Sequence, residues 1–161
     1  YAKIGKLKIV HAPTNRKIKG TDVIISVVEE LKKKYDIELI LVEKKSHDEA
    51  LKIYQEADLI IDQILIGWYG GFAIEAMKMG KPVAAFINEY DLKYVSHEMR
   101  TALLDSVINV NPDNLKDKLI EILENRSILD KMSRNGYDYV CEFHNPDKLI
   151  KIVIDKYLEF L

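Results

Sequence analysis

Two spacings of apolar residues alternate along this chain, short buried-looking runs and helical stripes. Leu7 to Ala12 predicts a strand, and Asp22 to Tyr35 predicts a helix because Val23, Ile24, Val27, Val28 and Leu31 fall on one face. Ile37 to Val42 is a second strand. Ser46 to Glu56 follows as a helix whose Ser46 and Glu49 fit a capping box. A third strand is expected from Asp58 to about Ile64, a helix from about Tyr69 to Met79 stopping at Gly80, and a fourth strand from Pro82 through Ile87. Beyond it the pattern predicts a helix over Leu92 to Leu104, a fifth strand at Val107 to Val110, and a helix to about Glu124 capped by Asn111-Pro112-Asp113. Two further helices close the chain, Ser127 to Glu142, with Gly136 as an expected interruption, and Pro146 to Leu161.

Strands and helices in alternation, with nearly continuous apolar strands, predict an α/β domain. The expected architecture is a Rossmann-like doubly wound parallel sheet of about five or six strands, covered on both faces. Such sheets bind ligands beyond the carboxyl ends of their strands. That directs attention to Pro13 to Gly20, Glu43 to Ser46, Gln63 to Gly71, and Asn88 to Asp91. The 161 residues, 48% of them hydrophobic, suit a single domain spanning 1–161. A net charge of −2 argues against nucleic acid as a partner. One cysteine, Cys141, excludes an internal disulfide, and no apolar run reaches the ~20 residues of a membrane span, so a cytoplasmic location is expected. The chain begins at Tyr1 with no charged leader, which reads as a fragment or processed chain whose missing part lies upstream.

Two segments carry chemistry. The first, His11 to Asp22, gathers Arg16, Lys17 and Lys19 with Gly20 in front of a helix. Cations beside a helix N-terminus suit a phosphate or diphosphate, and the plain alternative is a solvated basic loop. The second, Gly67-Trp68-Tyr69-Gly70-Gly71-Phe72-Ala73-Ile74-Glu75, places two glycines at a strand-to-helix turn and a glutamate one helical turn on. Amides at Gly70 and Gly71 are approachable by a ligand, and Glu75 could accept hydrogen bonds from a ribose diol. A tight turn followed by a solvated glutamate accounts for the same residues.

Together the loops resemble the retaining GT-B glycosyltransferases of family 4 (group 1), specifically their C-terminal, donor-binding domain. The resemblance rests on Lys19-Gly20-Thr21-Asp22, on Ala57-Asp58, and on Glu75-Ala76-Met77-Lys78-Met79-Gly80-Lys81-Pro82-Val83, and it covers nearly the whole chain. It implies that Lys19, supported by Arg16, stabilises the leaving diphosphate of a nucleotide-sugar donor. It also implies that Glu75 holds the ribose hydroxyls, and that the amides of Gly70 and Gly71 meet the distal phosphate or sugar. Thr14, Asn15 and Gln63 join them as donor-binding candidates. Transfer would be metal-independent and retaining, with no cofactor beyond the donor, and the acceptor would be bound by an upstream domain. Peripheral membrane association stays open for the full protein.

Three departures from the family pattern stand out. Gly67 replaces the first glutamate of the glycine-rich turn, Thr14 replaces an arginine, and Glu43 to Ser46 shortens the segment that often reads the base. A non-catalytic nucleotide-binding module on the same fold is therefore the alternative. His11 and Tyr69 are weaker candidates: a histidine ending a strand is more often an internally hydrogen-bonded structural residue, and an aromatic at such a turn is at least as often a packing residue. His47, His97 and His144 are too scattered to predict a metal site. A phosphoacceptor receiver domain fails, since it needs acids after the first strand where this chain has His11-Ala12-Pro13.

Overall fold

The computed structural model describes residues 5–160. Five strands, β1 (Leu7–His11), β2 (Ile37–Leu41), β3 (Leu59–Ile61), β4 (Val83–Ala85) and β5 (Val107–Asn109), form one sheet in the order β2-β1-β3-β4-β5. Every pairing is parallel, as continuous apolar strands require when both faces are covered. The helices are α1 (Arg16–Lys19), α2 (Thr21–Leu31), α3 (His47–Glu56), α4 (Gly71–Lys78), α5 (His97–Ser106), α6 (Leu115–Glu124), α7 (Ser127–Phe143) and α8 (Pro146–Leu158).

Strand residues alternate between two separate cores. Ile9, Leu59, Ile61 and Ala84 pack with Ile24 and Val28 of α2 and Leu115 and Leu119 of α6. Val10, Ile60, Val83 and Ala85 point the other way, onto Tyr54 of α3, Ala73 and Met77 of α4, Leu103 of α5 and Tyr139 of α7. Fully burying each large aliphatic side chain is worth about 1.5–3 kcal/mol, so this two-sided core is what holds the carboxyl-end loops in register. The predicted capping box is formed, Glu49 N–H donating to Ser46 Oγ and Ser46 N–H to Glu49 Oε2.

Three local expectations change. Arg16–Lys19, expected as loop, is a single helical turn, because Asn15 caps it by accepting the N–H groups of Lys17 and Ile18. The helix expected over Leu92 to Leu104 is split. A 3-10 turn at Glu89–Tyr94 precedes α5, which starts afresh where the Ser96 hydroxyl accepts the Met99 N–H. Helix α7 runs straight through Gly136, which does not interrupt it. Gly136 is buried, and a Cβ there would stand 3.0 Å from Met77 Cγ, so the glycine lets α7 approach α4 closely.

No residue of α8 is buried, and Leu149, Ile150, Ile152, Val153, Ile154, Tyr157 and Leu158 all face outward. Leu161, the last residue of the expected helix, lies outside the described residues. Among those described, no helix is long and apolar enough to cross a membrane.

The α4–α7 approach leads to a stability prediction. Gly136→Val should lower unfolding free energy by ~1–3 kcal/mol in urea titrations, and adding Met77→Ala should cost less than the sum of the two single changes. Strict additivity would show that the two positions do not press on one another.

Candidate functional site at the carboxyl edge of the sheet

The strand order reverses direction between β1 and β3, the place where parallel sheets of this kind bind ligands, and here the loops leaving those two strands come into contact. They are held together by backbone. Ile64 N–H donates to the Lys19 carbonyl, and Gly20 sits at φ 76°, ψ 28°, ending α1 and opening α2. A side chain at Gly20 would be strained by that left-handed backbone and would stand 2.5 Å from Ile64 Cγ1. Glycine is therefore what lets the α1–α2 corner touch the β3–α4 loop.

Beneath this corner lies a charge cluster. Lys19 Nζ is 2.5 Å from Asp62 Oδ1, and Asp62 Oδ2 accepts the Gly70 N–H at 2.7 Å. Asp62 is 0% exposed and Lys19 8%. The ammonium also stands 5.6 Å from the centre of the Phe72 ring. One carboxylate thus joins the end of α1, the end of β3 and the N-terminal turn of α4. Sequence reading did not single out Asp62. Its signal was a lone acid closing the apolar run Leu59-Ile60-Ile61.

The second cation, Arg16, is exposed but also paired. Its Nε and Nη2 donate to the two carboxylate oxygens of Glu43 at 2.8 and 2.5 Å, tying α1 to the β2–α3 loop. Hydrogen bonding to Glu43 raises the guanidinium pKa, and the same contact lowers that of the carboxyl. Pro13, Thr14, Arg16, Lys44, Lys45 and Tyr54 line an opening of about 940 Å³ between these loops. Thr14 is exposed at its edge, and Asn15 is occupied in capping α1.

The glycine-rich turn is pinned from several sides. The side-chain amide of Gln63 donates to the Trp68 carbonyl, so Gln63 braces the turn from within. Tyr69 Oη lies 2.6 Å from Tyr139 Oη and 2.8 Å from His144 Nε2. Tyr69 Oη thus bridges Tyr139 and His144. Burial pushes both phenols up in pKa and His144 down. Gly71 has open space around it, whereas a Cβ at Gly70 would stand 3.2 Å from Asp62 Oδ2. At Gly67 any side chain would overlap the Cβ of Asn88, whose N–H donates to the Gly67 carbonyl.

Glu75 is exposed on α4 and borders a different opening, of about 440 Å³ and largely apolar, with His47, Leu51, Lys78, Cys141 and His144. The two openings meet neighbouring faces of α3. Tyr54 packs against Phe72, one turn before Glu75, with ring centres 4.7 Å apart. His11 is wholly buried beneath the switch point: Nδ1–H donates to the Ile61 carbonyl, and Nε2 accepts from the Thr21 hydroxyl. Among the described residues no group of three or more His, Cys, Asp or Glu is arranged to hold a metal ion.

Three solved structures share the fold. The C-terminal domain of a group 1 family glycosyl transferase, LpcC, from Francisella tularensis superposes with a TM-score of 0.58 at 17% identity, over 88% of this chain and 87% of that one. A sucrose-phosphate synthase from Thermosynechococcus elongatus gives 0.64 at 18% identity, over 96% of this chain. A putative UDP-N-acetylglucosamine 2-epimerase from Listeria monocytogenes gives 0.56 at 19%, over 83%. The fold is that of the C-terminal domain of a GT-B glycosyltransferase. No family model matches the chain, nor does any curated protein. The GT-B-like domain spans 45% of the synthase chain and 40% of the epimerase chain. In it, the sequence-predicted residues Arg16, Lys19, Gly70 and Gln63 gather around the switch point, while Glu75 looks into the adjoining opening.

Burial holds the pKa of His11 below its ordinary value, outweighing the opposing hydrogen bond to the Ile61 carbonyl, and burial lowers that of His144 as well. An unfolded histidine titrates near 6.5, so below that pH the unfolded chain takes up protons that the folded chain refuses. Stability should be full above about pH 7 and decline toward pH 5.5. Urea midpoints should fall over that window, and the fall should shrink in the variant His11→Gln/His144→Gln.

Proposed function

We propose that this chain is the donor-binding half of a glycosyltransferase, holding a nucleoside-diphosphate sugar at the carboxyl edge of its sheet for transfer to an acceptor bound by a second domain. The observation that carries the reading is that Lys19 and the Gly70 N–H at the start of α4 meet on Asp62 at the switch point, with Arg16 on the opening beside them. As the bond from the sugar to the diphosphate breaks, negative charge grows on the leaving phosphate. On this reading Lys19, Arg16 and the amides near Gly70 and Gly71 stabilise that charge without a metal ion. Glu75, on the adjoining opening, takes the ribose hydroxyls, with the nucleoside lying along α4. The departure is retaining, in keeping with the family 4 pattern, and it takes place in the cytoplasm.

A second reading, a nucleotide-binding module without transfer, is favoured by the closure of Gly67 against Asn88. The carboxylate that the family pattern sets at that position has no room here. The two readings part in a transfer assay with a panel of nucleotide sugars and acceptors. This chain alone should transfer nothing, because donor and acceptor must be oriented together across the cleft. The protein carrying both domains should transfer on the first reading and stay inactive on the second.

Binding is testable on the chain itself. With EDTA present, calorimetry should find nucleoside diphosphates bound at micromolar to millimolar Kd, ~4 to 8 kcal/mol. An absolute need for Mg²⁺ or Mn²⁺ would contradict the reading. Lys19→Ala should weaken diphosphates far more than nucleosides, and Glu75→Gln should weaken ribonucleotides by up to ~1.5–3 kcal/mol while sparing their 2′-deoxy counterparts.

A further inference from the structure

The Lys19 ammonium and the Gly70 N–H, the groups that the donor-binding reading assigns to a phosphate, already share an internal anion. Asp62 gives one oxygen to each, at 2.5 and 2.7 Å, and is itself 0% exposed. The arrangement is sterically committed, since a Cβ at residue 70 would stand 3.2 Å from Oδ2. A phosphate reaching this point therefore meets a neutral pair, not a bare cation. Around the neighbouring opening stand Arg16, matched by Glu43, and Lys44 and Lys45.

We propose that Asp62 is a positioning residue that sets the affinity of the site for diphosphate. It holds the ammonium and the helix amide in line with the incoming phosphate, and its charge weakens their grip once the phosphate has become a leaving group. The proposal rests on the donor-binding reading above. A buried ammonium with no counter-charge attracts a diphosphate strongly, because the low-dielectric surroundings screen it little. Such a site would retain its product. Asp62 keeps the geometry of a strong site while lowering its hold, and this also explains why an acid ends a strand that is otherwise apolar.

The test is calorimetry with UDP, GDP, ADP and inorganic pyrophosphate, each alone, on the unaltered chain and on Asp62→Asn, with uridine, guanosine and adenosine as controls. Asp62→Asn should bind diphosphates and pyrophosphate about fivefold or more tighter, with nucleoside affinity unchanged. A purely structural role gives equal or weaker diphosphate binding, and that outcome overturns the proposal. If Asp62→Asn does not fold by circular dichroism, Asp62→Ser decides on the same readout: diphosphates and pyrophosphate bound about fivefold or more tighter bear the proposal out, and equal or weaker binding overturns it. If the unaltered chain binds neither the diphosphates nor pyrophosphate, the donor-binding reading falls and takes the role of Asp62 with it. Diphosphate binding without the gain in Asp62→Asn sinks the role of Asp62 alone.

Discussion

One buried ion pair organises the carboxyl edge of this domain. Taking Lys19 and Asp62 out of water is costly, and leaving either without the other would cost about 3–5 kcal/mol. The pair is tolerable only because the geometry is complete: the second oxygen of Asp62 has the Gly70 N–H, and the ammonium lies near the face of Phe72. Everything nearby is shaped to permit it. Gly20 brings α1 low enough for Lys19 to reach Asp62, and Gly70 brings the start of α4 against the carboxylate. The helix that would point its amides at a ligand is thus fastened to the loop that would supply the cation.

Around this pair the edge is built from groups that are already engaged. Arg16 is forked onto Glu43, Gln63 holds the Trp68 carbonyl, and Tyr69 reaches across to Tyr139 and His144 near the end of α7. Among the described residues, no buried side-chain polar atom lacks a partner. Such a site is rigid before any ligand arrives, so ordering costs little on binding, and affinity is governed by the exchange of internal partners for external ones. The two cores behind the sheet make that rigidity possible, since strand ends backed by packed residues on both faces have little freedom to move.

Most of the scaffold was legible in the chain because parallel buried strands and amphipathic helices write strong periodic signals. Ile9 and Val10, or Ile60 and Ile61, could be placed in a sheet from apolarity alone. The features missed were those with no period. Four residues are too few to show a helical stripe, so α1 was visible only through its Asn15 cap. Gly136 carried a true signal that allowed two meanings, a break or a close approach, and only the position of Met77 decides between them. For the site, Arg16, Lys19, Gly70 and Gln63 were named from their place after a strand or before a helix. Asp62 was not, because its meaning depends on Lys19, 43 residues away in sequence. Long-range pairing of two charges leaves no local mark on either.

The contact between Gly67 and Asn88 closes position 67 to any side chain. Because the obstruction is the Cβ of Asn88, every residue but glycine at position 88 carries the atom that blocks a side chain at 67. Shortening Asn88 to alanine would therefore not reopen the turn. A glutamate would fit at position 67 only together with a glycine at 88 or a withdrawal of the whole β4–α5 connection, and the backbone bond from Asn88 to Gly67 opposes such a withdrawal. Neither substitution makes room without the other. The turn can therefore take a new side chain far more readily at Gly71, which has open space beside it, than at Gly67.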